Sequence, residues 1–359
     1  MRLPSGWSYC PDCNAGAGRL VRGDRAIAPQ TRGAVESGTV DIGKNYTTRA
    51  RSGKLRAMTT RRHFLQAVSS TLFASATLPF ASARAAAAGM EAELTKPFRA
   101  GLALQLYSLR HRFKAGDVDG ALALTRDWGF SAIEGSAPAG MTTAAFTSRL
   151  KAHGLAAMGT GVDFEALSGD LGKTIADAHV LGARYVMCAW IPHGKTFAAA
   201  DVDKAVTAFN AGGKAFKAAG LTFMYHMHGY EFVPGAAGNG QTFFDTLAAR
   251  TDPDLVKFEM DVFWAARGGA DPVQLFERYP GRFAATHVKD IAKGTPLGDS
   301  TGSAPEETNV PIGQGQIAWP DVFRAAEKAG VAWHIIEDES PAVEQQVPVS
   351  LRYIAGLKL

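Results

Sequence analysis

Four hydrophobic runs in the second half of the chain end in side chains that can bind a metal ion or move a proton. These endings are Tyr225-His226-Met227-His228, Glu259-Met260-Asp261, His287-Val288-Lys289-Asp290 and Ile336-Glu337-Asp338-Glu339, and Glu134 ends an earlier run. Residues two apart in a strand point to the same side, so the alternate residues of each ending share one face. If those faces converge, they surround a cation, which predicts a metal site at the mouth of a barrel.

The chemistry of such a site follows from its ligands. A mixed set of imidazoles and carboxylates suits Mn, Mg, Co, Fe or Zn without choosing among them, and such an ion can polarise a bound carbonyl. The proton on the neighbouring carbon becomes acidic, and a carboxylate within hydrogen-bond reach can remove it. The resulting enediolate would be stabilised by the ion and by Lys289. Return of the proton to the other carbon is an isomerisation, and return to the other face of the same carbon is an epimerisation. Loss of a β substituent is an elimination.

Each of these residues also has an ordinary structural explanation. Glu134 could cap a helix, and His226 could form a hydrogen bond in the core. Glu259 could pair with Lys257 or Arg267. Taken together, however, four adjacent strands that end in His, Asp, His and Glu at one depth would bury several uncompensated charges, which is costly. A divalent cation is the simplest compensation.

The alternation of helical and apolar segments along the chain indicates how these strand ends are brought together. Helical segments repeatedly end in glycine and lead directly into a short apolar run, as at Gly182 and Gly330. Glycine after a helix adopts the left-handed conformation that ends it, and strands that alternate with helical segments indicate parallel βαβ units. Eight strands are predicted, at Leu102 to Leu106, Ala132 to Glu134, Ala156 to Gly159, Tyr185 to Ala189, Thr222 to His226, Val256 to Asp261, Ala284 to Lys289 and Ala332 to Glu337.

Two architectures can be built from such units. The stretch from Ala86 to Leu359 has 274 residues, enough for one (β/α)8 TIM barrel, which takes about 250. An open doubly wound sheet would need a glycine-rich phosphate turn after its first strand, and the segment from Gln105 to Arg110 contains no glycine. The sequence therefore predicts a barrel, in which chemistry is located at the C-terminal ends of the strands.

An export signal is predicted at residues 58–85. Thr60-Arg61-Arg62-His63-Phe64-Leu65-Gln66 resembles a twin-arginine motif, and an apolar stretch and the small-residue pattern Ala81-Ser82-Ala83 follow it. The apolar stretch is shorter than the roughly 20 residues of a membrane span, so we expect no membrane anchor in the mature form. Cleavage is expected near Ala83 to Ala88. An ordinary amphipathic helix is the alternative.

Residues 1–57 have a different character. Export signals start close to the initiator methionine, so we expect the true start at Met58; peptides from residues 1–57 in the native precursor would contradict this. The segment is rich in Gly and Arg with little apolar periodicity, which predicts disorder. Its Cys10-Pro11-Asp12-Cys13 motif has neither a second pair for zinc nor the strand and helix of a thioredoxin-like site. The barrel domain is expected at 95–359.

Charge argues against one class of partner. Residues 86–359 contain 25 basic and 30 acidic residues, a net charge of about −5, whereas a protein that binds DNA or RNA normally has a basic surface. We expect no nucleic-acid partner. Cys188 is the only cysteine in this stretch. It lies in an apolar run and is expected to be a buried small hydrophobe, so no disulfide is predicted within the barrel.

The ordered motifs resemble one family of barrels, the xylose isomerase-like sugar phosphate isomerases/epimerases. The resemblance is carried by Tyr225-His226-Met227-His228-Gly229-Tyr230-Glu231-Phe232, by Glu259 to Trp264 with Gly269-Ala270-Asp271-Pro272, by His287 to Asp290, by Gly313 to Trp319 and by Glu337 to Glu339. The segment from Leu104 to Arg110 is similar as well. This superfamily includes isomerases, epimerases, dehydratases, lyases that act on keto-sugars and a DNA-repair endonuclease.

The resemblance implies a divalent ion held by one residue from each of strands five to eight. The implied ligands are His226 or His228, Asp261, His287 and Glu337. We favour His226 as the ligand because it aligns with the strand-five carboxylate of the ketose epimerases. The implied catalytic residues are Glu134, Glu259 and Lys289, and the implied substrate-binding residues are Gln105, His228, Glu231 and Trp264.

The presence of His226 in place of that carboxylate argues against a symmetric two-glutamate epimerase. Two roles are open to Glu259, as a general base or as a hydrogen-bond partner that orients a ligand. We favour the second, in which case Glu134 or Glu337 is the expected base. The predicted function is a metal-dependent sugar isomerase or epimerase acting on a free or oxidised sugar through an enediolate. The alternatives are a lyase or dehydratase that eliminates from a keto-sugar or keto-glycoside, and a non-catalytic exported carbohydrate-binding barrel with Trp190 and Trp264 as stacking surfaces.

The export signal adds an expectation about location and substrate. We expect a periplasmic protein whose partners are the twin-arginine translocase during export and a small-molecule carbohydrate afterwards. Sugar phosphates are cytosolic metabolites, and the strand-end motifs contain no cluster of Arg and Lys for a phosphate. The expected substrate is therefore a free sugar, an oligosaccharide or an oxidised glycoside.

Overall fold

The structure is a computed structural model that describes residues 97–235 and 240–359. The predicted segments at 1–57 and 58–85, with the twin-arginine motif and the Cys10–Cys13 pair, lie outside the described residues. Within the described part of the chain, no helix is both long enough and apolar enough to cross a membrane.

Eight parallel strands close into a barrel, in which each strand pairs with its neighbours in sequence and the last pairs with the first. The predicted (β/α)8 fold is therefore confirmed. The barrel strands are β1 Gly101–Gln105, β2 Ala132–Glu134, β3 Ala156–Gly161, β4 Tyr185–Cys188, β5 Thr222–His226, β6 Val256–Asp261, β7 Phe283–Val288 and β8 Trp333–Ile336.

Helices surround the strands. They are α1 Arg110–Lys114, α2 Val118–Asp127, α3 Thr143–Ala152, α4 Gly172–Leu181, α5 Ala199–Ala218, α6 Phe243–Arg250, α7 Val262–Arg267, α8 Pro272–Arg278, α9 Trp319–Ala329 and α10 Val343–Ala355. Short 3₁₀ turns lie at Leu106–Leu109, Phe164–Ser168, Tyr230–Phe232 and Glu306–Thr308. Gly182 and Gly330 end α4 and α9 at φ of 75° and 83°, which is the left-handed conformation predicted from the sequence.

The interior of the barrel is filled by apolar side chains below the site. Along β1, Leu102 and Leu104 pack toward the helices and Ala103 packs inside, as the period of two requires. Gln105 therefore faces the interior as well. The other interior members of this layer are Ala132, Met158, Met224, Ala285 and Ile335. Three of them stand two residues before Glu134, His226 and His287, so alternation alone directs those three polar side chains into the mouth of the barrel.

A small antiparallel pair follows β7. Asp290–Ile291 pairs with Asn309–Val310, and the Asp290 carboxylate accepts hydrogen bonds from Gly313 N at 2.9 Å and Gly315 N at 3.1 Å. The turn at Gly313–Gly315 is therefore fixed to the segment that follows β7. Cys188 is buried and free.

Candidate metal centre

Strand register places the predicted ligands beside one another at the C-terminal mouth. His226, the last residue of β5, lies beside Glu259 of β6, and Asp261, the last residue of β6, lies beside His287 of β7. Glu337 follows β8 directly. Adjacent parallel strands end at one edge, so these side chains form one layer across neighbouring strands.

Register shifts accompany two of the carboxylates in this layer. The register shifts between Ile133 and Glu134 against β3, and between Phe258 and Glu259 against β7. In each case the extra residue lies on the partner strand, so β2 and β6 keep their alternation, which turns Glu134 and Glu259 inward. Both carboxylates are fully buried, and Glu134 Oε2 and Glu259 Oε2 lie 2.9 and 3.2 Å from Nε2 of His287.

The donor atoms of His226, Asp261 and His287 lie within 4.8 Å of one another. Asp261 Oδ2 is 3.7 Å from His226 Nε2 and 4.0 Å from His287 Nδ1. Glu337 borders this group, since its Oε2 is 3.1 Å from the same Nδ1. Three of the four ligands that the family resemblance implies are therefore grouped around one small volume, and Glu337 borders it.

Helix capping fixes the orientation of the Asp261 carboxylate. It is the N-cap of α7, and its Oδ1 accepts a hydrogen bond from Trp264 N at 2.9 Å. Capping satisfies a backbone N–H that has no partner within the helix. One oxygen of the carboxylate is thereby fixed, and the other, Oδ2, faces the two histidines.

Glu259 orients His226 by a hydrogen bond. Its Oε2 accepts from His226 Nδ1 at 3.0 Å, which leaves Nε2 available to an ion. A carboxylate on the far nitrogen fixes the tautomer of a metal-binding histidine and raises its basicity. This geometry favours the orienting role for Glu259.

A second compact group, Glu134, Glu259 and His287, also has its donor atoms within 4.8 Å, and the two groups share His287.

The charges in the centre are strongly coupled. Burial disfavours a charge on His287, but Glu259 and Glu337 outweigh it and hold the pKa of His287 well above its ordinary value. Burial likewise disfavours a charge on Glu259, but His287 and His226 outweigh it and lower the pKa of Glu259 to about 2. Glu259 is therefore a full anion at neutral pH.

Glu134 differs from Glu259 in its protonation. Burial and the charge of Glu259 raise the pKa of Glu134 to about 7, although a hydrogen bond from His287 opposes the shift. A carboxyl group with a pKa near the working pH can both accept and return a proton. Glu134 is thus the carboxyl group of this centre best suited to proton transfer.

The residues present fit a divalent metal ion. Three buried carboxylate oxygens of the centre, Glu134 Oε1, Glu259 Oε1 and Asp261 Oδ2, have no hydrogen-bond partner within the part of the chain that the structure describes. Buried oxygens of this kind are costly without a compensating partner. A cation supplies that partner, and the mixed N and O donor set suits Zn, Mn, Fe or Co, with Mg accepted through the carboxylates.

Lys289 places a buried ammonium at the edge of the centre. Its Nζ lies 3.6 Å from Glu337 Oε2 and donates to Glu339 Oε1. The same atom lies over the rings of Phe263 and Trp264, 5.0 and 5.2 Å from their centroids. Burial lowers the pKa of Lys289, but Glu339 and Glu337 outweigh it and the pKa is raised overall. Lys289 is therefore a proton donor and not a base.

His228 and Trp264 form part of the wall above the ligands. His228 belongs to neither ligand group, and its ring lies 5.5 Å from that of Trp190 and 5.7 Å from that of Trp264. Burial, and secondly the nearby His226, hold the pKa of His228 well below its ordinary value. Its Nδ1 has no partner among the described residues, so both side chains stay candidates for contact with a substrate hydroxyl or ring.

Gln105 is bound to protein groups at both ends of its amide. Its Nε2 donates to Glu134 Oε2 at 2.7 Å, and its Oε1 accepts from Tyr107 N at 3.2 Å. The geometry indicates a role in fixing Glu134, and the substrate contact expected from the sequence stays a prediction. Strand patterns could not show this, because the partner comes from a neighbouring strand.

Glu231 is likewise occupied by the protein. It is fully buried, accepts a hydrogen bond from the Tyr225 hydroxyl, and accepts another from His228 N at 3.1 Å. The Tyr225 hydroxyl also lies 2.9 Å from that of Tyr230. The geometry therefore indicates that Glu231 holds the turn carrying His228, and the expected substrate contact stays a prediction.

Gly159 is a residue that sequence reasoning missed. A Cβ atom at this position would lie 2.8 Å from Glu134 Oε1, so alanine would displace a carboxylate held by Gln105 and His287. We expect Gly159→Ala to lower turnover about 100-fold, the scale of a 1 Å misplacement, with metal content and thermal unfolding nearly unchanged. Gly161→Ala is the matched control, since its Cβ would meet Ser136 Oγ at an ordinary 3.6 Å. Equal turnover of the two variants would contradict this constraint.

The fold and the motifs together define a family. A family model described as Xylose isomerase-like TIM barrel matches residues 122–357, which is more than half of the chain. The chain therefore belongs to the xylose isomerase-like TIM barrel family, as the order of its motifs indicates.

Inosose dehydratases are among its relatives. The one from Lacticaseibacillus casei is 26% identical over 226 residues, which cover 61% of this chain and 70% of the relative. The one from Geobacillus kaustophilus (strain HTA426) is 38% identical over 72 residues. That match spans 20% of this chain and 22% of the relative's length, so it does not extend to the whole protein.

Solved structures share the barrel. A sugar phosphate isomerase/epimerase from Parabacteroides distasonis is 25% identical, with a TM-score of 0.60, over 71% of this chain and 98% of that chain. A xylose isomerase-like TIM barrel protein from Mycobacterium smegmatis, in complex with magnesium, is 18% identical, with a TM-score of 0.50, over 67% of this chain and 88% of that chain. At that level of identity the second likeness shows the fold alone.

Proposed function

We propose that this protein is a metal-dependent dehydratase that removes the proton beside the carbonyl of a keto-sugar or cyclic keto-polyol and then eliminates water. The ion would be held by His226, Asp261, His287 and Glu337. The family includes isomerases, epimerases and dehydratases, and the sequence favours the first two. The arrangement of acid and base at the site favours the third.

One observation carries this choice. The centre combines one carboxyl group suited to proton transfer, Glu134, with one buried ammonium, Lys289. Glu259 is engaged with His226, and Asp261 and Glu337 face the volume of the ion. An epimerase needs two groups that exchange a proton on opposite faces of one carbon, and a lysine whose raised pKa keeps it as an ammonium ion has no lone pair with which to accept a proton. An elimination needs one base and one acid, which is the pair present.

The residues then act in sequence. When bound, the ion polarises the substrate carbonyl and acidifies the neighbouring C–H bond. Glu134 accepts that proton, and the C–H electron pair forms the double bond of an enolate. The enolate electrons expel the β-hydroxyl group as the C–O bond breaks, while Lys289 donates a proton to it, so that water and an unsaturated ketone are formed. The proton on Glu134 returns to Lys289 through solvent, and Glu339 holds the ammonium in place.

Several features support a neutral carbohydrate as substrate. The unpartnered Nδ1 of His228 can bind a hydroxyl, and Trp190 and Trp264 can pack against a ring. The inosose dehydratase relatives are named for a reaction of the proposed class. The buried carboxylates of the centre would repel a phosphate. Export to the periplasm through the twin-arginine translocase stays part of this proposal and agrees with a substrate that is not phosphorylated.

A product assay in deuterated water tests the proposal. The Mn²⁺-loaded protein is incubated with a panel of 3-keto sugars and keto-polyols, and the products are analysed by mass spectrometry. We expect loss of one water from the substrate. Lys289→Met should still exchange the α proton with solvent but should eliminate roughly 10² to 10⁴ times more slowly. A product that keeps all of its oxygen atoms and carries one deuterium on carbon would instead indicate isomerisation or epimerisation.

Isomerisation or epimerisation is the second candidate reaction, and a separate observation favours it. Glu259 Oε2 lies 3.2 Å from His287 Nε2, so a second carboxylate is close to the centre, and the Parabacteroides distasonis structure is named as a sugar phosphate isomerase/epimerase. In this case Glu259 would exchange the proton that Glu134 removes. Binding of the same sugars without any turnover would instead favour a carbohydrate-binding barrel.

A further inference from the structure

The turn that follows β1 lies between the two halves of the proposed acid–base pair. Strand β1 pairs with β2 on one side and with β8 on the other. Glu134 ends β2, and the loop after β8 carries Glu339, whose carboxylate binds the Lys289 ammonium. We call residues 105–110 the β1 turn. Because parallel strands end at one edge, side chains of this turn are within reach of both neighbouring loops.

On the side of β2, the β1 turn holds the proposed base. Gln105 caps the 3₁₀ turn, since its Oε1 accepts a hydrogen bond from Tyr107 N at 3.2 Å. Its Nε2 donates to Glu134 Oε2 at 2.7 Å. Gln105 is buried. The amide is therefore fixed by the backbone of the turn at one end and orients a carboxylate with the other.

On the side of β8, two further side chains of the β1 turn hold the backbone of the next loop. Ser108 is fully buried, and its Oγ accepts a hydrogen bond from Asp338 N at 3.0 Å. Arg110 Nη2 donates to Glu339 O at 2.7 Å. One contact precedes the peptide bond between residues 338 and 339, and the other follows it. This dipeptide is therefore attached to the β1 turn at both of its ends.

The Arg110 guanidinium is itself fixed in place. Its Nη2 also donates to Glu306 Oε1 at 2.7 Å, and its Nη1 donates to Tyr107 O at 3.4 Å. The guanidinium carbon lies 4.9 Å from the centroid of the Tyr107 ring. A planar guanidinium that is held at several points is a rigid donor. It can therefore fix the position of the Glu339 backbone.

The dipeptide in turn fixes the proposed acid. Glu339 Oε1 accepts a hydrogen bond from Lys289 Nζ. Lysine has a flexible four-carbon stem, so the position of its ammonium depends on the groups bound at its tip. Glu337, the implied metal ligand of the same loop, is held separately, because its N–H donates to Val288 O at 3.3 Å. A shift of Glu339 can therefore move the ammonium while Glu337 stays on the barrel.

We propose that Ser108 and Arg110 are positioning residues that set Lys289 through Glu339, so that one short turn fixes the spacing between acid and base. The roles of acid and base rest on the proposed function. In that reaction the abstracted proton and the leaving hydroxyl group are on adjacent carbons. Acid and base must therefore keep a fixed separation, and a misplacement of about 1 Å can cost roughly 100-fold in rate.

NMR of the lysine ammonium groups tests this positioning without any substrate. The full chain is loaded with Zn²⁺, which is diamagnetic, and Lys289→Met identifies the Lys289 signal by its loss. Arg110→Gln should speed hydrogen exchange of that ammonium roughly 10-fold, the scale of one weakened charge-assisted hydrogen bond. Its affinity for Zn²⁺ should be nearly unchanged, because Val288 O still holds Glu337.

Two further variants make the test specific. Arg112→Gln is the matched control, because Arg112 also donates to carboxylates, those of Glu344 and Asp117, and lies two residues further along the chain. It should leave exchange of the Lys289 ammonium at the rate of the parent. Ser108→Ala removes the acceptor of Asp338 N and should speed the exchange about threefold. This smaller change decides the matter if Arg110→Gln does not fold.

Equal exchange of the Lys289 ammonium in the parent and in Arg110→Gln, or in the parent and in Ser108→Ala, would overturn the proposal. Faster exchange together with loss of Zn²⁺ would also overturn it, because the whole loop after β8 would then have moved. The NMR measurement uses the protein and Zn²⁺ alone. A failure to find dehydration would therefore refute the proposed reaction and leave the positioning of Lys289 standing.

Discussion

Asp261→Asn should weaken binding of the metal ion more than about 100-fold, which exceeds the loss caused by removing a group that only orients a ligand. The same change should lower turnover roughly 10³-fold or more, since the ion supplies several kcal/mol of transition-state stabilisation. Asparagine keeps the oxygen that caps α7 through Trp264 N but removes the charge of Asp261 and its free oxygen. Helix α7 should therefore stay folded in the variant. Because the change also removes a buried anion close to Glu337, the metal-free variant should unfold at a temperature no lower than the metal-free parent.

The chain offers a matched control for that experiment. Asp271 is the N-cap of α8, accepts a hydrogen bond from Val273 N at 2.9 Å and lies on the exposed surface. Asp271→Asn makes the same chemical change in the same kind of cap, so it should retain full metal content and turnover. Metal content is measured by elemental analysis after dialysis, and unfolding by calorimetry. Stoichiometric metal in Asp261→Asn would remove Asp261 from the ligand set.

Glu134→Gln and Glu259→Gln should lose activity in two distinguishable ways. Glu259 is a full anion beside His226, so its neutralisation should weaken metal binding by about 10 to 100-fold, and excess metal should restore turnover. Glu134 carries its charge only partly at neutral pH, so its amide should keep the metal. Loss of the base should then slow turnover roughly 10² to 10⁴-fold, at any metal concentration.

The measurement is turnover as a function of Mn²⁺ concentration, from trace to saturating. A curve for Glu259→Gln that shifts to higher metal and reaches the parent maximum supports the orienting role. If Glu259→Gln instead stays inactive at saturating Mn²⁺ while Glu134→Gln recovers, the two glutamates exchange roles. Calorimetric titration with Mn²⁺ provides the affinities independently of any substrate.

The barrel and the position of the site follow from local features of the sequence. The predicted bounds of β2, β5 and β6 agree with the structure, and the other strands differ at their ends by one or two residues. The reason is physical: a buried parallel strand is an apolar run, and polar residues are tolerated only where the strand leaves the core. Asp261 and His287 could therefore be placed at one depth from the pattern alone.

The partners of each side chain could not be predicted in the same way. Gln105 and Glu231 have the residue types of substrate contacts, but a hydrogen bond to Glu134 or Tyr225 depends on which strands and turns are neighbours. The register shifts beside Glu134 and Glu259 leave the apolar pattern unchanged, so no local pattern indicates them. The path of residues 292–308 depends on contacts with Arg110 and Arg267, which are about 160 residues apart, and no local pattern encodes contacts over that distance.

His287 belongs to both ligand groups, and this has a consequence for the order of events. A neutral imidazole has one lone pair and one N–H, so if Nδ1 binds the ion, Nε2 must carry the hydrogen, and Glu134 Oε2 is its nearest acceptor at 2.9 Å. Loading replaces the single charge of a protonated ring with the double charge of an ion, which favours the ionised form of Glu134. Metal binding at His287 thus favours the carboxylate form of Glu134, which is the form that can accept a proton. The same imidazole then has no lone pair left for a second ion.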